Sequence, residues 1–164
     1  VVPPLNFAMV APGIYRSGFP NQRSHQFMLG LGIRTIIYLA NDPKQSALDQ
    51  HTQFALQNGI TFKHYRLHHN NLPLEEMDIA TVTEVLAILT NPTASTTGTQ
   101  QYQHQHQHPV LVHCNKGVRR VGCVVGCLRR LQMWSMAAIL DEFQRFSGDK
   151  IRINDQEFIE SFDL

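Results

Sequence analysis

The chain has 164 residues, 43% of them hydrophobic, with 14 Lys and Arg against 13 Asp and Glu. That length buries one substantial core and is too short for two ordinary domains. A net charge of +1 gives no global case for nucleic acid, and no run nears the roughly 20 apolar residues of a membrane span, so any anion preference must be local.

Three cysteines, none in a Cys-x2-Cys pair, argue against a disulfide framework or a zinc ribbon. No metal or cofactor is expected, and a reducing, cytoplasmic setting is. Val1-Val2-Pro3-Pro4 does not resemble a signal peptide, and the lack of an initial Met is compatible with a fragment.

Gly13-Ile14-Tyr15-Arg16-Ser17 reads as a first short strand, and Ser24 as the cap of a brief helix ending at Gly30 or Gly32. Arg34 to Ala40, β-branched and largely apolar, is the clearest strand and is predicted to be central. Asn41-Asp42-Pro43 closes it and opens a helix that stops at Asn58-Gly59. Ile60 to Leu67 is a third strand, followed by a polar loop from His68 to Met77. Asp78 caps a helix whose Ile79, Val82, Val85, Leu86 and Leu89 form one apolar stripe.

From about 93 to 108 the chain turns to Ser, Thr and Gly and then to alternating Gln and His. This tract is too polar to bury a core, so it is expected as a disordered insertion within a single domain spanning 1–164, with no metal assigned to its histidines. Val110 to His113 completes the sheet. Helices follow over Arg120 to Met133, from a Ser135 cap to about Phe146, and from Asn154 with Glu157 as its capping-box partner. The alternation predicts an α/β fold, a largely parallel sheet with helices on both faces.

Between the last strand and its helix lies His113-Cys114-Asn115-Lys116-Gly117-Val118-Arg119-Arg120, a Cys-x5-Arg loop at the carboxyl end of a strand, where ligands bind in such sheets. Only a thiolate attacks well, and local positive charge is what produces one near neutral pH. The amides of the loop and the N-terminal end of the following helix supply that charge and also cradle a phosphate dianion. Arg120 suits the site because a planar guanidinium grips two phosphoryl oxygens, whereas Lys acts as a point charge. Gly117 permits a positive φ and close backbone approach. The expected chemistry is in-line attack by Cys114 on phosphorus, giving a phosphocysteine that water hydrolyses. Asn115, Lys116, Gly117, Val118 and Arg119 form the substrate-binding set.

Other residues receive plainer readings. Cys123 and Cys127 are core thiols. Arg129 and Arg130, about 14 Å along the helix from Arg120, are solvated surface. Arg16 fits a structural ion pair. His64, His68 and His69 are exposed loop and edge histidines, with an anion pocket as the alternative.

Four segments carry a family resemblance: Val2-Pro3-Pro4-Leu5-Asn6-Phe7, Gly13 to Pro20, the loop from His113 to Gly117, and Asp141-Glu142-Phe143-Gln144-Arg145-Phe146. Together they resemble the plant and fungal atypical dual-specificity phosphatases over nearly the whole chain, with only the Gln/His tract foreign. The resemblance implies a protein-tyrosine-phosphatase-like fold of the dual-specificity type and inositol pyrophosphates as favoured substrates, with phosphotyrosine or other phosphoesters as further ones. It implies Cys114 as nucleophile, Arg120 as phosphate clamp and Asn115 to Arg119 as the amide cradle, and it offers Arg16 a place in the site floor as the equal alternative to an ion pair.

Departures from that family matter too. Its members usually continue Lys-His-Arg-Thr-Gly after the loop glycine, where this chain has Val118-Arg119-Arg120-Val121-Gly122. Val118 removes a cation that Arg119 restores nearby. Val121 lacks the hydroxyl that helps stabilise Cys114 as a leaving thiolate, and losing one such donor costs about 3 kcal/mol. Slow turnover with accumulated phosphocysteine is expected. The same two valines motivate a reading from another class, a pseudophosphatase that binds phosphorylated ligands or scaffolds related subunits.

Phosphoester cleavage also benefits from a proton donor on a mobile loop. Glu75, Glu76 and Asp78 are the available carboxylates, Asp78 with a structural alternative as a helix cap. The family loop often reads Gly-Asn-Lys-Glu-Pro-Phe, and Asn71 and Leu72 replace its Lys and Glu. A diphosphate leaving group is already stabilised as phosphate and needs less acid help, which favours a pyrophosphate substrate.

Overall fold

The computed structural model describes residues 1–41, 44–69, 76–91, 93–94, 105–148 and 152–163. In chain order these form β1 (Ala8–Ala11), β2 (Ile14–Ser17), a 3-10 turn (Gln22–Ser24), α1 (His25–Gly30), β3 (Thr35–Tyr38), α2 (Gln45–Gln57), β4 (Thr61–His64), α3 (Ile79–Thr90), β5 (Thr93–Ala94), β6 (Gln105–His106), β7 (Val110–His113), α4 (Arg119–Leu131), α5 (Met136–Ser147) and α6 (Ile153–Ser161). A five-stranded sheet runs β1-β2-β7-β3-β4, parallel except at β1. This is the α/β architecture expected, and its middle strand is β7, with β3 beside it.

Both strands are wholly buried, because the two faces of the sheet are covered and successive side chains serve different layers. Ile37, Val110 and Val112 join Val82, Val85 and Leu89 of α3, Val124 and Leu128 of α4, Phe143 of α5 and Phe158 of α6. Ile36 and Leu111 pack on the other side with Met28 of α1 and Phe54 and Ala55 of α2. Helix α4 approaches its neighbours closely at two glycines. A Cβ on Gly122 would lie 2.5 Å from Phe143 Cε2, and one on Gly126 would lie 2.5 Å from Ile159 Cδ1.

Asp78 and Ser135 cap α3 and α5 as the sequence predicts, accepting from Thr81 N at 2.9 Å and Ala138 N at 3.3 Å. Other local expectations are corrected. Strand β1 has no counterpart in the sequence reading, since an edge strand with one buried residue of four carries little periodic signal. Asn21 rather than Ser24 makes the cap near α1, accepting from Arg23 N at 2.9 Å. Helix α6 starts at Ile153 after Arg152, without an Asn154 cap.

Arg129 and Arg130 are not solvated surface either, because α4 packs against α5 and the end of α6. Arg129 is buried and bonds both oxygens of Glu142 at 2.9 and 2.8 Å, with Trp134 stacked on its guanidinium at 4.0 Å. Arg130 donates to the carbonyls of Ile159 and Glu160 at 2.9 and 2.8 Å, capping the C-terminal end of α6. Cys123 and Cys127 are fully buried, as read from the sequence. The ends of the Gln/His tract pair as β5 and β6, and Thr35 Oγ1 donates to Gln107 O at 2.7 Å. Residues 95–104 lie outside the described residues. Among the described residues no helix is long and apolar enough to cross a membrane.

Candidate active site

Ser17, His113 and Tyr38 are aligned across β2, β7 and β3, so three strands end at one edge and Cys114 follows directly. Main-chain contacts fix the curl of the loop. Phe19 N donates to Asn115 O at 3.1 Å, and Asn6 Nδ2 to Lys116 O at 2.8 Å. Gly117 has φ +71°, and a Cβ there would lie 2.3 Å from Gly18 N, so glycine alone fits. The curl brings the Gly117 N–H to 3.3 Å from Cys114 Sγ, and the Cys114 residue is only 3% exposed.

Arg16 belongs to the floor of this loop. Its Nη2 donates to Gly117 O at 3.0 Å, and its guanidinium lies 3.7 Å from the centroid of the Phe146 ring. Burial lowers its pKa to about 10, opposed by the charges of Glu142 and Cys114, so it remains a cation at neutral pH. Arg120 is buried too, and its Nη2 donates to Asn41 Oδ1 at 2.6 Å. Asn41 Nδ2 stands 3.0 Å from His68 Nδ1, and Tyr38 OH donates to Asn115 Oδ1 at 2.6 Å.

Above the sulfur opens a cleft of about 740 Å³ lined by His69, Cys114, Asn115, Lys116, Val118, Arg119, Arg120, Phe146, Ser147 and Arg152. Every residue of the predicted set lines it except Gly117, which lies beneath. No side chain caps α4 at Val118, which leaves the amides of its first turn for a ligand. Arg119 Nε is 3.4 Å from Asp155 Oδ2, and burial pushes the Asp155 carboxyl up to about 6 against the pull of Arg152. The Cys114 sulfur, the Arg120 guanidinium, the loop amides and the cations therefore share one mouth, an arrangement that suits phosphoryl transfer through sulfur.

The model of the tyrosine phosphatase family matches residues 1–164. This chain belongs to that family. It is 39% identical over 163 residues to the inositol diphosphatase DSP4 of Arabidopsis thaliana, covering 99% of this chain and 74% of that protein. Against the inositol diphosphatase DSP2 of Oryza sativa subsp. japonica the identity is 38%, covering 99% and 72%. The core catalytic domain of the PP-IP phosphatase SIW14 from S. cerevisiae superposes with a TM-score of 0.81 at 34% identity, covering 99% of this chain and 88% of that one.

Within this family member, two of the acid candidates, Glu76 and Asp78, do not line the cleft. Asp78 Oδ2 accepts from Thr81 N at 2.9 Å and from the Thr81 hydroxyl, and those bonds hold its carboxyl below the usual range. It is a helix cap and a poor proton donor. Glu76 is exposed and does not line the cleft, and Glu75 lies outside the described residues. Val121 is fully buried in the main core. No cluster of three metal-ligating side chains occurs among the described residues.

Sequence reasoning missed Asn6, Tyr38, Asn41, Phe146, Arg152 and Asp155. They come from separate elements, Asn6 from 110 positions before Lys116, and no local spacing announces them. His69 does line the cleft, whereas His64 bonds Ala40 O at 2.6 Å on β4.

Proposed function

We propose that this chain hydrolyses inositol pyrophosphates through a phosphocysteine on Cys114. The reading rests on the Cys114 sulfur, which sits under the Gly117 N–H in a cleft lined by Lys116, Arg119, Arg120 and Arg152. Four cations around one nucleophile suit a polyanion. The similarity to plant inositol diphosphatases and a yeast PP-IP phosphatase supports the same substrate class.

In this mechanism the Cys114 thiolate attacks the terminal phosphorus while Arg120 and the loop amides hold its oxygens. The P–O bond to the inner phosphate breaks, and that phosphate leaves with the electron pair. Water then attacks the phosphocysteine, the P–S bond breaks, and thiolate and inorganic phosphate are regenerated. The buried Arg16 cation supports the loop from below through its bond to Gly117 O. Because the first leaving group is itself a phosphate, the step makes little demand on a general acid, consistent with the use of Asp78 as a cap. A reducing compartment suits the free Cys114 thiol. The named relatives are enzymes, which leaves the scaffold reading without support.

The test is phosphate release from a diphosphoinositol polyphosphate by wild type and by Cys114→Ser. We expect the variant to lose at least about a thousandfold in turnover. Equal background release from both would sink the enzyme reading, and faster turnover of a phosphotyrosine peptide run in parallel would reassign the substrate.

A further inference from the structure

Directly behind the nucleophile lies a pair of buried imidazoles that the chemistry above does not use. His113 ends β7 and is 0% exposed, and His51 on α2 is 1% exposed. Their Nε2 atoms are 3.2 Å apart. Two imidazole nitrogens at that distance share one proton, so one ring donates and the other accepts. Burial holds both neutral, His51 down to about 4 and His113 well below its ordinary value, so each ring carries one N–H at neutral pH.

The remaining edges decide the direction. The Cys114 backbone favours a proton on the His113 ring and so faces it as an acceptor, although the contact lacks ordinary hydrogen-bond geometry. Neither His51 Nδ1 nor His113 Nδ1 makes a hydrogen bond. If His113 donated from Nε2, its bare Nδ1 would face the Cys114 acceptor and His51 would bury an unpartnered N–H. With His51 as donor, the outer N–H is the one on His113, which at least faces the Cys114 acceptor, and the nitrogen facing no acceptor carries only a lone pair, the less costly arrangement.

We propose that His51 is a positioning residue of the phosphatase site: by donating Nε2–H to His113 it fixes the Nδ1–H tautomer and the orientation of the ring behind Cys114. A second route leads to the loop. The His113 ring stacks on Tyr38 at 4.9 Å and 21°, and Tyr38 OH holds Asn115 at 2.6 Å. Phe19, whose N–H holds Asn115 O, meets the His51 and His113 rings at 5.1 and 5.3 Å. Turning His113 therefore disturbs both clamps on the first loop residue after the nucleophile. The inference depends on the phosphatase reading only for its effect on rate.

Two measurements on the full chain test it. Nitrogen-15 NMR of the imidazoles should find His113 protonated at Nδ1 and bare at Nε2. In phosphate-release assays His51→Leu should lower kcat tenfold or more with KM within twofold. His51→Gln, which places an amide N–H near the position of Nε2, should recover kcat to within threefold of wild type. A His113 proton on Nε2, or equal losses in the Leu and Gln variants, overturns the proposal. If His51→Leu does not fold, the wild-type tautomer decides alone. A wild type without phosphatase activity counts against the functional reading, and the NMR result still decides this one.

Discussion

Along β2, β3 and the N-terminal segment, the loop and its arginine meet committed partners: Asn6, Tyr38, Asn41 and Arg16 make hydrogen bonds of 2.6 to 3.0 Å to or within the site. Along α5 and α6 the contacts are looser, with Arg119 at 3.4 Å from Asp155 and Arg152 exposed. Short directional bonds give the first wall rigidity, whereas long charged side chains give the second adaptability. On the function proposed above, the contrast separates two tasks, placing the Cys114 sulfur and recognising a polyanion, between different elements.

The largest way to break this comparison is at the rigid wall. Gly117→Ala should destabilise the fold by more than about 3 kcal/mol, because it combines a positive φ with a clash against backbone. Denaturant melts and turnover check it, and native values of both would remove the steric account of the loop.

Acid probes the rings behind the same wall. The unfolded state protonates His51 and His113 below about pH 6.5 while the folded state resists, so stability falls as pH drops from 6.5 towards 4. At pH 5 the His51 shift costs about 2 kcal/mol, and His113 adds a loss of the same sign. Asp155 acts oppositely, because its raised value lets the folded state bind a proton first, returning about 1 kcal/mol at pH 5. A net loss of stability between pH 7.5 and 5 is expected, read from melts at the two pH values. A flat profile would mean that water reaches the rings.

The adaptable wall predicts smaller effects. Asp155→Asn removes the charge facing Arg119, so KM for a diphosphoinositol polyphosphate should fall about threefold at pH 7.5, less so in high salt. The difference from wild type should close below pH 6, where Asp155 itself becomes neutral. The smallest effect is expected for Val121→Thr, which revises the slow turnover expected from the missing hydroxyl alone. The Gly117 N–H already reaches the sulfur, and Val121 sits in apolar core, so an added hydroxyl should change kcat by less than about fivefold. A rapid-quench burst abolished by that variant would show instead that thiolate release limits turnover.

Much of this site was legible in the chain. Cys114, Gly117 and Arg120 are spaced by a loop whose geometry is local, and β3, β7, α3 and α5 announce themselves by period and cap. Asp78 was legible only in part, because a carboxylate before a helix reads equally as acid or cap, and only its bonds to Thr81 separate the two. Arg129 and Arg130 misled because a helix's own spacing does not reveal that α5 and α6 cover the side on which they lie.

By itself the sequence determined the parallel core, from buried β-branched runs, and the Cys-x5-Arg loop, from residue types that phosphate chemistry requires. Tertiary structure alone decided what holds that loop. Arg16, Asn6, Tyr38 and His51 reach it across separations that carry no periodic signal, because strand order and helix packing, rather than spacing along the chain, set which side chains meet.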